Sequence, residues 1–121
     1  MSDLPRGVDP RLIVGYETGD DAAALRLRPD LAIVQTLDFF MPIVDDPKTF
    51  GMIAAANAIS DVYAMGAEPV VALAILGFPK KKLPLKAAAE IMAGGAELCA
   101  QAGIRIAGGH SIDDAEWWFN C

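Results

Sequence analysis

Apolar and polar positions along the chain form blocks that predict strands in its first two thirds. Two short apolar runs, residues 22–27 and 31–37, are separated by Arg28-Pro29-Asp30, a turn signal that predicts adjacent strands. Residues 70–78 (VVALAILGF) are rich in β-branched side chains and almost continuously apolar. This composition predicts a central strand that is covered on both faces.

A helix is predicted between these strands. Asp46 is a favourable N-cap residue, and Pro47 follows it at the first helical position, where proline is common. We expect the helix to run to Ala64 or Met65 and to stop at Gly66, a typical C-cap residue.

The last third of the chain predicts a second helix and a final strand. Residues 84–102 are alanine-rich and are followed by Gly103, which predicts a helix and its end. Residues 104–107 predict a short strand, which leads into a turn at Gly108-Gly109. The resulting order, β-β-α-β-α-β, predicts an α/β (α+β) fold in which the helices pack on one face of a sheet.

Composition narrows the class of protein. The length of 121 residues is that of one domain, and 54% apolar with 21% charged residues is typical of a globular chain. The formal net charge of −6 argues against nucleic acid or an anionic membrane as a partner. Residues 1–10 lack the apolar core of a signal peptide, and no apolar run approaches membrane-spanning length, so we expect a cytoplasmic protein.

Candidate chemistry is concentrated in residues 54–69 (AAANAISDVYAMGAEP). Asn57 and Asp61 are four residues apart, so a helix places them on one face, one turn from each other. Nearly all of their neighbours are small or apolar, and a carboxylate in such surroundings is costly unless it is paired or bound to a cation. Asp61 therefore has a polar partner inside the fold, or it points into a cleft.

Further acidic or glycine-rich elements fall at predicted strand ends, where sites tend to be built. They are Glu17-Thr18-Gly19-Asp20-Asp21, Thr36-Leu37-Asp38 and Gly108-Gly109-His110-Ser111. Taken singly, each of them is typical of an ordinary turn or loop cap. Together with Asp61 they indicate a nucleotide–metal site, because Mg²⁺ favours one or two carboxylates plus phosphate oxygens and water. Two carboxylates about 4 Å apart repel by roughly 4 kcal/mol at an effective dielectric of about 20, so converging acids favour a bound cation.

These residues resemble a known family. Residues 36–47, 54–69, 72–79 and 108–113 closely resemble selenide, water dikinase, also called selenophosphate synthetase. The wider superfamily includes aminoimidazole ribonucleotide synthase, thiamine monophosphate kinase and a hydrogenase maturation factor. The resemblance extends over residues 9–114 and implies the N-terminal ATP-binding domain of that family.

The resemblance implies roles for individual residues, with Mg²⁺ and ATP as the bound groups. Asp21 and Asp61 match the magnesium ligands, and Asp61 also belongs to the nucleotide site. The family's ATP-contacting positions are matched by Thr18, Gly19, Asp20 and Asp38. Its nucleotide-contacting turn is matched by Gly109, His110 and Ser111. It also implies a homodimer formed through the sheet, with residues 22–37 and 70–78 as candidates to line the interface.

Two departures from the family limit the expected activity. The family's catalytic Cys or selenocysteine and its nearby Lys precede the matched region, and residues 1–8 contain neither. Residues 115–121 do not resemble the family's continuation, and the family's C-terminal domain is absent. Residues 117–119 either fray or cover surface left by that missing domain.

We therefore expect a single truncated ATP- and magnesium-binding domain over residues 1–121, with a flexible start at 1–9 and a divergent tail at 115–121. Such a domain is not catalytically complete alone. The family reaction converts ATP, selenide and water to selenophosphate, AMP and phosphate. The alternatives are a non-catalytic dimerisation or interaction module and another small-molecule kinase of the same superfamily.

Overall fold

The computed structural model describes residues 9–14, 22–37, 44–79, 81, 84–114 and 118–120. In chain order the elements are β1 (Leu12–Val14), β2 (Ala23–Arg28), β3 (Leu31–Gln35), α1 (Pro47–Ala64), β4 (Ala72–Phe78), α2 (Leu85–Gln101), β5 (Ile106–Asp113) and β6 (Trp118–Asn120). The predicted order β-β-α-β-α-β is confirmed as β2 to β5 with both helices. The short strands β1 and β6, of three residues each, were not predicted.

The first sheet is antiparallel, in the order β1-β2-β3. The predicted turn at residues 28–30 joins β2 to β3, and Leu25 lies opposite Ile33 across the hairpin. Leu12 of β1 lies opposite the same Leu25, so these three side chains share one face of the sheet. That face is apolar, and Leu12 and Ile33 on it are exposed to solvent.

The second sheet has the order β5-β4-β6, with β5 parallel and β6 antiparallel to β4. The predicted central position of β4 is confirmed. The prediction that both of its faces are covered is wrong, because Ala74, Leu76 and Phe78 are buried whereas Leu73 is 62% exposed. Both helices pack on the same face, so alternate side chains of β4 meet different surroundings.

Helix α1 begins and ends as its sequence predicts. The Asp46 side chain accepts a hydrogen bond from the Thr49 backbone N–H at 3.0 Å. Hydrogen bonds from the hydroxyl and then the backbone of Thr49 hold the pKa of Asp46 below its usual value. At the other end Gly66 has φ +70°, and its N–H donates to the Tyr63 carbonyl. Glycine adopts this left-handed conformation without steric cost.

The two helices cross with their backbones in close contact. A Cβ atom on Gly51 of α1 would lie 1.9 Å from the Ile91 carbonyl oxygen of α2. A Cβ atom on Gly94 of α2 would lie 2.0 Å from the Lys48 carbonyl oxygen of α1. Only glycine fits at either position without moving a helix, and the same crossing carries an ion pair between Lys48 and Glu97 at 2.8 Å.

The main core lies between these helices and the second sheet. Phe119 of β6 is fully buried and meets the ring of Phe50 edge-on, with centroids 6.3 Å apart. Phe119 of β6 therefore belongs to the core of this domain. Within the described part of the chain, neither helix is long and apolar enough to cross a membrane.

Candidate functional site

The best-defined polar contact at the predicted site joins the end of β3 to α1. Thr36, which directly follows β3, donates a hydrogen bond from its Oγ1 to Oδ2 of Asp61 at 3.1 Å. Both residues are half-buried, and Asp61 lies in the last turn of α1. The sequence left open whether Asp61 has a polar partner or points into a cleft, and Thr36 supplies the partner.

The helix face around Asp61 has the arrangement that its spacing predicts. Asn57, one turn earlier, is half-buried like Asp61, whereas Ala54, Ala55 and Ala58 are buried. The polar residues therefore lie at the margin of the apolar core. A carboxylate in this position keeps access to a ligand without the full cost of burial.

Gly108 to Ser111 are not a turn, and that prediction is wrong. They lie inside β5, where the parallel register with β4 places Gly109 opposite Ala74 and Ser111 opposite Leu76. Pairing with β4 overrides the local turn preference of the two glycines. Gly109 has a structural reason to be glycine, because a Cβ there would lie 1.8 Å from the Ala74 carbonyl oxygen. His110 and Ser111 are exposed, and their contact with a nucleotide stays a prediction.

An open cavity of about 560 Å³ lies along this strand. Its floor is formed by apolar residues of β4 and α2, including Leu76, Phe78 and Met92, and its polar side chains are His110 and Ser111. Gly109, His110 and Ser111 therefore line this cavity together, and Asp61 and Thr36 lie outside its lining.

Several predicted site residues lie outside the described residues. They are Thr18, Gly19, Asp20, Asp21 and Asp38. Within the ranges that the structure describes, no group of three His, Cys, Asp or Glu side chains could hold a metal ion. The donor set that is described, the Asp61 carboxylate with one oxygen held by Thr36, has the hard oxygen chemistry that Mg²⁺ prefers.

Sequence reasoning missed the role of Thr36. In the sequence Thr36 stands only at a predicted strand end, and its partner lies 25 residues further along the chain. A contact between residues so far apart has no local sequence signal. The hint in the sequence is a carboxylate among small and apolar neighbours, which needs a partner, a bound cation or a cleft.

Solved structures define the class of fold. The chain superposes on a structure described as AaThiL complexed with AMPPCP and TMP with a TM-score of 0.75 and 24% identity, over 84% of this chain and 34% of that one. Thiamine monophosphate kinase from Aquifex aeolicus matches with a TM-score of 0.71 and 22% identity, over 82% of this chain and 34% of that one. At this level of identity the likeness shows the fold alone.

Sequence comparison then shows the family. Residues 19–120 match the N-terminal domain of the AIR synthase related proteins, and the chain belongs to that family. It is 57% identical to a selenide, water dikinase of Shewanella baltica (strain OS155 / ATCC BAA-1091), over 95% of this chain and 33% of the relative. The corresponding protein of Shewanella putrefaciens (strain CN-32 / ATCC BAA-453) is 56% identical over the same shares. The chain spans about a third of the length of these curated relatives. The resemblance predicted from the sequence motifs is thereby confirmed.

Proposed function

We propose that this chain is an ATP- and magnesium-binding domain of a selenophosphate-synthetase-like protein. Its 57% identity to a selenide, water dikinase supports the family reaction, in which ATP, selenide and water give selenophosphate, AMP and phosphate. The observation that carries the metal and nucleotide part is the half-buried Asp61 carboxylate, held by Thr36 at the end of β3. The chain spans about a third of the length of this relative, so the activity of the whole protein stays part of the proposal.

We propose Asp38 as a second acid beside Asp61. Asp38 follows Thr36 by two residues, and two residues of chain span at most about 7 Å. The carboxylates of Asp61, Asp38 and Asp21 would bind Mg²⁺ together with phosphate oxygens. When bound, the metal would offset the charge of the triphosphate and so allow it to approach these acids.

The nucleotide would also contact β5. The cavity beside this strand, at about 560 Å³, has the size of a small-molecule site and a mostly apolar floor. Gly109, His110 and Ser111 provide polar groups at its rim. Thr18, Gly19 and Asp20 complete the proposed ATP contacts.

We also propose that the domain forms a homodimer through its first sheet. The apolar face that carries Leu12, Leu25 and Ile33 exposes Leu12 and Ile33, and Leu27 and Leu31 near the hairpin turn are exposed as well. Exposed apolar patches of this kind mark interaction surfaces, and a second copy would bury the same patch on both sides.

The same apolar face supports the first alternative, a dimerisation or interaction module that binds no nucleotide. The second alternative, another small-molecule kinase, is supported by the thiamine monophosphate kinase fold. Dependence of any activity on selenide distinguishes this kinase from the proposed function.

Titration calorimetry with ATP alone, Mg²⁺ alone and both together tests the proposal. We expect binding only when both are present, because bare triphosphate is repelled by the acids. The absence of heat even at millimolar magnesium–ATP would favour the interaction module. Heat from ATP without metal would contradict a site in which acids repel bare triphosphate.

A further inference from the structure

We infer that Thr36 is a positioning residue that orients the Asp61 carboxylate for a divalent cation. This inference rests on the proposed function, since it assigns the group that prepares the metal ligand. It starts from the 3.1 Å hydrogen bond from Thr36 Oγ1 to Asp61 Oδ2, which joins two elements far apart in sequence.

The positions of the two residues make the contact well suited to fixing a side chain. Asp61 lies in the last turn of α1, a helix anchored in the core through Phe50 and Ala54. Thr36 directly follows β3, and its branched Cβ restricts rotation about χ1. Because the donor Thr36 has restricted rotation and Asp61 is attached to a rigid helix, the hydrogen bond holds the Asp61 carboxylate in one orientation.

The bond engages one oxygen of Asp61 and leaves the other available. Oδ2 accepts from Thr36, and Oδ1 has no hydrogen bond or ion pair to a residue of the described ranges. A metal ligand needs such an open oxygen. Outer-sphere hydrogen bonds of this type fix ligand orientation, and their loss typically lowers metal affinity about 10- to 100-fold.

The chemistry of the donor favours this role over that of a counter-ion. A hydroxyl carries no charge, so it orients the carboxylate without neutralising it. Lysine or arginine in the same place would neutralise the carboxylate and compete with a cation for it. Thr36 therefore leaves the negative charge of Asp61 available to a metal.

The competing explanation is that the bond only fastens β3 to α1. Thr36→Val removes the hydroxyl at nearly constant shape, and Thr36→Ser keeps the hydroxyl. The chain offers a matched control, because Thr49 also donates its hydroxyl to an aspartate, Asp46. Asp46 caps the opposite end of α1, about 22 Å from Asp61 at 1.5 Å per residue. Thr49→Val therefore removes a threonine–aspartate bond without touching the site.

The experiment is calorimetric titration of all four proteins with magnesium–ATP, and with ATP alone, together with thermal melts without ligand. We expect Thr36→Val to lose roughly tenfold in magnesium–ATP affinity, Thr36→Ser to stay within about threefold of wild type, and Thr49→Val to match wild type. If Thr36→Val melts earlier than wild type but binds magnesium–ATP equally well, the hydrogen bond only joins β3 to α1. That result would overturn the inference and leave the proposed function standing. Wild-type protein that binds no magnesium–ATP would overturn the proposed function and the inference with it.

Discussion

In the sheet β5-β4-β6 the apolar side chains on one face are covered by both helices, whereas in the sheet β1-β2-β3 the apolar face is open to solvent. Ile91 of α2, which packs on the helix-covered sheet, is 0% exposed, whereas Ile33 of β3 is 46% exposed. The helix-covered half supplies the main core, and apolar burial is the dominant favourable contribution to folding. The open sheet contributes little to that core and presents apolar surface for assembly. The Asp61 site lies at the junction, where β3 of the open sheet meets α1 of the core.

The largest expected effect comes from shortening the same residue type in each half. Ile91→Ala should lower the free energy of unfolding by about 2–5 kcal/mol, because it leaves a cavity in the packed core. Ile33→Ala should lower it by less than about 1 kcal/mol, since the side chain is already half in water. Urea unfolding at the lowest workable protein concentration compares the two within a single chain. Similar losses for both would show that the first sheet also belongs to a packed core.

A second pair of variants tests the helix crossing. Gly51→Ala should lower the free energy of unfolding by about 3 kcal/mol, because its methyl group would collide with the Ile91 carbonyl and push the helices apart. Gly108→Ala is the control, since a Cβ there would lie 3.7 Å from Leu73 Cδ2, an ordinary contact. Guanidinium or thermal unfolding measures both. Equal stability of Gly51→Ala and Gly108→Ala would show that the helix crossing does not require glycine at position 51.

A charged substitution tests whether the open apolar face of the sheet β1-β2-β3 is a dimer interface. Ile33→Lys should turn a homodimer into a monomer while changing the stability of the single chain by less than about 1 kcal/mol, because a charge at an apolar interface centre is costly only on association. Sedimentation at micromolar concentration distinguishes the two states. Arg26→Glu, an exposed change on the other face of the same strand pair, is the control. A wild-type monomer near 12.8 kDa would contradict the proposed dimer.

The smallest effect concerns pH and the start of α1. The pKa of Asp46 is lowered from 3.8, chiefly by the Thr49 hydroxyl, so the ionised form stabilises the folded state. Its contribution is complete above pH 3.8 and is lost as the pH falls through the lower folded pKa. Asp46→Ala should therefore melt earlier than wild type at neutral pH, and the difference should shrink below pH 3.8. A difference that stays constant down to pH 2 would show that the cap does not act through its charge.

Local signals in the sequence predicted the helices and the hairpin well. Asp46, Pro47 and Gly66 mark the ends of α1 through capping preferences that act within a few residues. The turn at residues 28–30 likewise predicts the antiparallel pair β2 and β3. Each of these features depends on neighbours in sequence, and for that reason the pattern predicts them.

Features that depend on distant contacts were not predicted. The glycines of β5 indicate a turn locally, but the close approach of Gly109 to Ala74 extends the strand. The open face of β4 follows from both helices packing on one side, which the apolar run cannot reveal. In the candidate site, the sequence indicated that Asp61 has a polar partner or points into a cleft. Only the fold shows that Thr36 is such a partner.

The central claim is that Asp61 serves a ligand, and Asp61→Asn tests it most directly. The substitution removes the charge but keeps an oxygen that can accept from Thr36, so the free energy of unfolding without ligand should stay within about 1 kcal/mol of wild type. Calorimetry should then show that the variant has lost magnesium–ATP binding, because the metal has lost a carboxylate ligand. A variant that is strongly destabilised without ligand, or that binds magnesium–ATP like wild type, would contradict this account.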